Sequence, residues 1–305
     1  MKSLSLSFTA LALLAAVGAP ARAGDVCTDT ARLQLKAAMF EVREEYNVKI
    51  GTCLNLTDAE EKAECLQEAR AERVEATQLA RAQFQARLEL CDKLGDGGAY
   101  DPEIDPENFS SEIDNPYFPL PVGAVWTYES LTDEGLETVV VEVLDETREI
   151  LGVECRSVRD VVMLDGEPVE DTIDWYAQDD DGNVWYFGEI SFSFEDGYVE
   201  SIEGSWLAGV DSAKPGIVML AAPTPGVTYR QEWLLGDAED AATVISTDDS
   251  VTLGIGTFLD CVQTEDFLPP EPDAFENKYF APGIGFIYET KQDSDETLEL
   301  ISFSL

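Results

Sequence analysis

The chain has no histidine. That absence removes the usual serine and cysteine triads, in which an imidazole takes the proton. It also removes the common metal centres built on imidazole, and with no C-x-x-C pair present structural zinc is disfavoured too. Bases are scarce: 19 lysines and arginines face 62 aspartates and glutamates, a net charge of −43. A surface of that sign repels nucleic acid and anionic lipid. No glycine-rich phosphate loop opens a helix. Beyond the first two dozen residues nothing stays apolar for the ~20 residues that a helical span requires, so no membrane span is expected.

What is present begins with a processing signal over residues 1–23. Lys2 supplies the positive start, Leu11 to Val17 a short apolar core, and "ARA" before Gly24 a small-residue cleavage site. No cysteine stands at that site, which argues against a bacterial lipid anchor. The expectation is export to the periplasm or the extracellular space. Six cysteines, an even number, then read as disulfides. Apolar residues form 45% of the chain, enough to build a core despite the charge.

The charge is uneven. Residues 25 to 95 carry 14 acids and 10 bases, whereas the chain from Asp96 onward carries 48 acids and only 7 bases. One reading is a solubility or high-salt adaptation. The other is that some carboxylates form divalent-cation sites.

From Thr28 to about Asp92 there is no proline and one glycine, Gly51, in a run of good helix formers. Leu35, Met39, Val42, Tyr46 and Ile50 step at helical spacing. "TDAE" at 57 to 60 has the form of a capping box and predicts a second helix from about Asp58. Cys27 to Cys53 and Cys65 to Cys91 are each 26 positions apart, and the pairs 27/91 and 53/65 share a midpoint at residue 59. Two antiparallel helices turning there would set each pair side by side. Nested bridges Cys27–Cys91 and Cys53–Cys65 follow, out of three possible pairings. The apolar faces are thin, so the hairpin reads as a stapled spacer or cap, with protein docking as the alternative.

Five prolines between 100 and 123 forbid helix and predict an extended, solvated tether. After it come strands rich in β-branched and aromatic residues, separated by turn clusters. They repeat. "GAVWTYES" (123 to 130) matches "GVTYRQEW" (226 to 233), and 148 to 160 matches 251 to 266 with Cys155 on Cys261. The hairpin 174 to 189 matches 277 to 290. Parity and the repeat together predict a Cys155–Cys261 bridge.

The fold class expected is therefore α+β. A disulfide-stapled α-hairpin (24–95) and a proline-rich acidic linker (96–122) precede a mainly antiparallel β domain (123–305). That domain holds two repeated units, at ~123–203 and ~226–303, curled into an open barrel or a sandwich.

"AQDDDGN", residues 177 to 183, raises the question of calcium. With Gly182 at the sixth position of an EF-hand loop, Ala177 falls at the first and Gly188 at the twelfth, so it is not an EF-hand. What is left is a shorter pattern of Asp179, Asp181 and Asn183. Those oxygens suit calcium, but they also make an ordinary acidic turn. The second repeat turns on "APG" (281 to 283) with no acid, so the aspartates are not needed for the hairpin itself.

"NPYFPL", "GVECRSVRD", "DWYAQDDDGNVWYFGE", "GSWLAGVDSAKPGIVM" and "YFAPGIGF" resemble a family of exported bacterial β-proteins of uncharacterised activity. The resemblance covers roughly 115 to 303. It implies the β fold and export, and it transfers no activity.

A second candidate site is 204 to 220, where Trp206, Asp211 and Lys214 come together and Trp175 and Trp185 share the pattern. A pocket for a sugar or a small apolar ligand is the functional reading. Packing of a crossover, with Lys214 paired to a carboxylate, is the plain one. The function expected is an exported, non-catalytic binding or cell-envelope module, with divalent cations and an unidentified protein or small molecule as partners. A carboxylate-based glycan hydrolase and a carrier of a small apolar ligand are the alternatives.

Overall fold

The computed structural model describes residues 25–95, 97–195, 197–292 and 294–305, with Asp273 described for its backbone alone. The signal-peptide reading of residues 1–23 lies outside the described residues. Two helices lead, α1 over Val26–Leu54 and α2 over Ala59–Leu94. Asp25 caps α1 by accepting from the Thr28 N–H, and Asp58 caps α2 by accepting from those of Glu60 and Glu61. Gly95 ends α2 in left-handed backbone (φ 72°), which favours glycine. Both bridges expected from the mirrored cysteines are formed, Cys27–Cys91 at the base of the hairpin and Cys53–Cys65 at its turn. The face the helices share is thin, with Ala31, Val42, Ala69 and Ala80 buried along it. Among the described residues no helix is long and apolar enough to cross a membrane.

The β region starts with β1 (Phe109–Ser110). A meander follows: β2 (Val125–Thr132), β3 (Gly135–Ile150), β4 (Val153–Leu164), β5 (Glu167–Asp179) and β6 (Val184–Glu195). β7 (Tyr198–Ser201), β8 (Trp206–Leu207) and β9 (Lys214–Met219) all pair with β6. Then come β10 (Thr228–Arg230), β11 (Glu232–Trp233), β12 (Ala241–Leu253), β13 (Gly256–Leu268), β14 (Glu271–Ala281), β15 (Gly285–Lys291) and β16 (Thr297–Ser304). Hydrogen-bonded neighbours run β10-β12-β13-β14-β15-β16-β2-β3-β4-β5-β6-β9-β11.

Segment 228 to 233 stands at both ends of that order. Its first half, β10, pairs with β12, and its second half, β11, pairs with β9. One short segment thus holds both edges, and the antiparallel sheet nearly closes into a barrel. The seam is tight. A Cβ on Gly216 of β9 would lie 2.5 Å from the Gln231 carbonyl oxygen and 2.6 Å from that of Arg230, so only glycine allows the strands to meet.

The sequence repeat is the repeat of the barrel. β2 to β6 match β10 to β15, and β16 links β15 to β2 as β9 links β6 to β11. This arrangement overturns one expectation. Cys155 and Cys261 are not bridged; both thiols are free and buried. Equivalent positions of two repeats around a ring are carried apart, and here five strands stand between β4 and β13. The two cysteines belong to different buried clusters. Burial pushes the Cys155 thiol up to about 12, which suppresses its reactive thiolate. Unfolded, unreduced protein is therefore expected to titrate two thiols with a colorimetric reagent, and a count of zero would restore the bridge.

The proline-rich segment is not a solvated tether. β1 pairs with β5, and the Asn108 carbonyl accepts from the Asp180 N–H. Asn115 is buried, donating from Nδ2 to the carbonyls of Gly182 (2.9 Å) and Leu220 (3.3 Å). Ile113 and Leu120 enter the main buried cluster. The prolines set an extended path, and the path runs along the barrel as a belt and folds over one end of it.

The hairpin is docked too. Its base reaches both sides of the seam. On one side Arg87 and Glu239 form a buried ion pair, Leu90 packs with Ala241 and Phe267, and the Lys93 ammonium meets Glu265 at 3.0 Å. On the other, Val26, Cys27 and Leu94 border a cavity shared with Trp185, Ile217 and Trp233, and just past the hairpin the Tyr100 hydroxyl donates to the Pro215 carbonyl and Lys214 pairs with Asp101.

Candidate functional site

Side chains along a strand alternate between the two faces of the sheet. In β2 that turns Trp126 and Tyr128 inward, in β3 Val139 and Val141, in β4 Val158 and Asp160, in β5 Asp174 and Tyr176, and in β14 Lys278 and Phe280. All line one cavity of about 350 Å³ inside the barrel, at the small end of the range for ligand pockets. Phe118 of the belt lines it as well, 5.5 Å from the Tyr176 ring and 6.3 Å from Phe280. Trp126 Nε1 donates to the Ile284 carbonyl and the Tyr128 hydroxyl to that of Phe286. Their polar atoms are thus satisfied by backbone, and their rings are left to form the wall.

The rest of the wall is charged. Asp160, Asp174, Asp266, Glu289, Lys278 and Gln231 all reach the cavity. Burial pushes the Asp160 carboxyl up to about 8, and Asp174 and Glu170 add repulsion. Burial also raises Asp174, against a 2.6 Å hydrogen bond donated by the Tyr186 hydroxyl. The acids Glu189, Glu232 and Asp240 are likewise raised, mainly by burial. Burial alone would lower the Lys278 ammonium. Asp266, Glu276 and Glu289 outweigh it and hold that ammonium well above its ordinary value. Lys278 Nζ lies 3.4 Å from Asp266 Oδ2 and 3.1 Å from Glu276. Two oxygens stay unserved. Asp160 Oδ1 and Asp266 Oδ1 are shielded from solvent and find no hydrogen-bond partner among the described residues.

The tryptophan-centred pocket expected from the sequence is not where the cavity is. Trp175 is buried in a second cluster under the Arg148 guanidinium, 4.1 Å from its ring centroid. Trp206 packs edge-on against Tyr186 in the same cluster. Asp211 sits exposed in a turn with positive φ, and Lys214 Nζ is tied to Asp101 at 2.6 Å. Trp185 donates its indole N–H to Asp179. Its ring borders a separate cavity of about 260 Å³ between the hairpin base and the barrel seam. These tryptophans pack, and the one that lines the barrel cavity is Trp126. Its signal was the alternation in "VWTYES", which turns Trp126 and Tyr128 to the same face.

The acidic loop has a structural task. Asp179 Oδ1 accepts from the Asn183 N–H, and Asp179 Oδ2 accepts from both Asn183 Nδ2 and Trp185 Nε1. Asn183 Oδ1 accepts from the Ala221 N–H. Asp180 and Asp181 are exposed. Calcium drawing on Asp179 and Asn183 would have to displace bonds that close the turn. Among the described residues no group of three or more cysteine, aspartate or glutamate side chains is disposed to hold a metal ion.

No family model matches the chain, and neither does any curated protein. A solved structure of "a putative lipoprotein from Parabacteroides distasonis ATCC 8503" is similar at 12% identity and a TM-score of 0.34, over 62% of this chain and 98% of that one. The likeness is loose.

Proposed function

We propose that this is an exported, non-catalytic binding protein whose barrel interior holds a small molecule with a largely apolar body. The observation that carries the reading is the cavity of about 350 Å³, lined mostly by aromatic and aliphatic side chains, with Phe118, Pro119 and Leu120 of the belt among them. Export is supported by the leader pattern of residues 1–23 and by two disulfides. Divalent cations enter as counterions to the acidic exterior. A glycan hydrolase would need two carboxylates set on either side of a sugar ring; the carboxylates of this cavity stand among aromatic and aliphatic side chains that suit an apolar body better.

The test is calorimetric titration with a neutral aromatic probe, naphthylmethanol. Wild type is expected to bind it. Val141→Phe, which places a ring in the cavity, is expected to abolish binding with the fold retained by circular dichroism. No binding to wild type, or equal binding to the variant, would overturn the carrier.

A further inference from the structure

At one inward position the two repeats differ in charge. The sequence repeat sets Asp160 on Asp266. Strand register then fixes what each meets on the next strand. In repeat two, Thr264 of β13 lies opposite Lys278 of β14. In repeat one, Val158 of β4 lies opposite Asp174 of β5. Val158 and Thr264 each stand two residues before the matched aspartate, so Asp174 takes the place of Lys278. Repeat two thus carries its own ammonium beside its buried aspartate. Repeat one has a second carboxylate there and no cation.

The matched aspartates of both repeats keep an unserved oxygen. Asp160 Oδ1 is shielded from solvent and unpartnered among the described residues. Asp266 has a side chain only 2% exposed, lines the same cavity and keeps an unpartnered Oδ1 even with Lys278 beside its other oxygen. A buried carboxyl without a cation or donor holds its proton, and a cation brought beside it favours the ionised form. No three acidic groups among the described residues are disposed around a metal ion. The remaining wall is apolar, and six of its residues are aromatic: Phe118, Trp126, Tyr128, Tyr176, Phe280 and Phe286. Aromatic faces attract organic cations as well as apolar bodies.

Resting on the carrier reading, we propose that the cavity selects a ligand bearing a protonated amine, received by Asp160 and Asp174 where repeat two has the Lys278 ammonium. The apolar body of the ligand lies against the aromatic wall. The chemical class is a small organic ammonium compound.

The experiment compares naphthylmethylamine with naphthylmethanol by calorimetry at fixed, high ionic strength, so that general attraction to the acidic exterior is screened. Wild type is expected to bind the amine about tenfold or more tightly than the alcohol, as a charge-assisted hydrogen bond predicts. Asp160→Asn keeps the shape and removes the capacity to ionise beside an ammonium, and should bring the two probes to near-equal affinity. Asp174→Lys copies repeat two into repeat one. It should fill the site with its own ammonium and lose the amine. If Asp174→Lys does not fold, Asp160→Asn alone decides. Equal affinities of both probes for wild type would leave the carrier standing and sink the ammonium site. An amine preference that survives in Asp160→Asn would sink it too, assigning the preference to the exterior. Failure of naphthylmethanol to bind wild type would remove the carrier reading and this one with it.

Discussion

Arg87→Ala is expected to destabilise the whole protein by about 3–5 kcal/mol, the cost of breaking a buried ion pair from one side. The guanidinium meets Glu239 through Nε at 3.0 and 2.9 Å and through Nη2 at 2.6 Å, with the two side chains 5% and 3% exposed. Removing the arginine leaves a buried carboxylate that retains the Gly236 N–H as donor but has lost its counter-charge. Glu239 stands beside the seam, just before β12. The loss should therefore appear in the barrel, read as a lower urea midpoint of the near-ultraviolet signal. Arg87→Leu with Glu239→Leu removes both charges and should recover most of the stability. A variant in which only helical signal melts early, with the barrel midpoint unchanged, would show that hairpin and barrel are energetically separate, as the tether reading implied.

Gly216→Ala is the second large effect, with an expected loss of about 3 kcal/mol, at the upper end of ordinary overpacking. The new methyl would sit 2.5 Å from the Gln231 carbonyl oxygen and 2.6 Å from that of Arg230, which are backbone atoms and cannot swing aside. Either the seam opens or the strands bend. Gly254→Ala is the control, since a methyl there meets nothing within 4 Å and the φ is ordinary. Thermal melting of the two variants side by side checks the claim. Equal melting temperatures would mean that the seam yields freely.

Much of this architecture could be read from the residues, and the reasons for success and failure are local. The hairpin was legible because spacing and periodicity are independent signals, and Cys27, Cys53, Cys65 and Cys91 satisfy both. The barrel was legible as a repeat because long strands with aromatic alternation leave a pattern. Its closure was not, because β10 and β11 are two or three residues long and the decisive residue, Gly216, acts by having no side chain. The belt was misread because proline restricts a chain's path but does not say what Asn115 or Phe118 will pack against. The Cys155–Cys261 pairing failed because a parity argument ignores where a ring carries equivalent positions. The acids of the cavity were hidden by abundance. Among 48 acids beyond residue 95, nothing in composition marks Asp160 and Asp174 as inward, and only strand phase against Val158 and Tyr176 does.

The position of β16 has a consequence for the order of events during folding. It lies between β15 and β2, and its partner residues pair Leu300 with Tyr128 and Phe303 with Trp126. Those contacts close the longest loop in the β region, and contacts of that span form slowly. Until they form, β2 and β15 each present a row of unpaired backbone groups, the template on which strands of separate chains join. With a net charge of −43, like-charge repulsion is expected to keep half-closed barrels apart while β16 finds its place, so raising the salt concentration should increase aggregation during refolding.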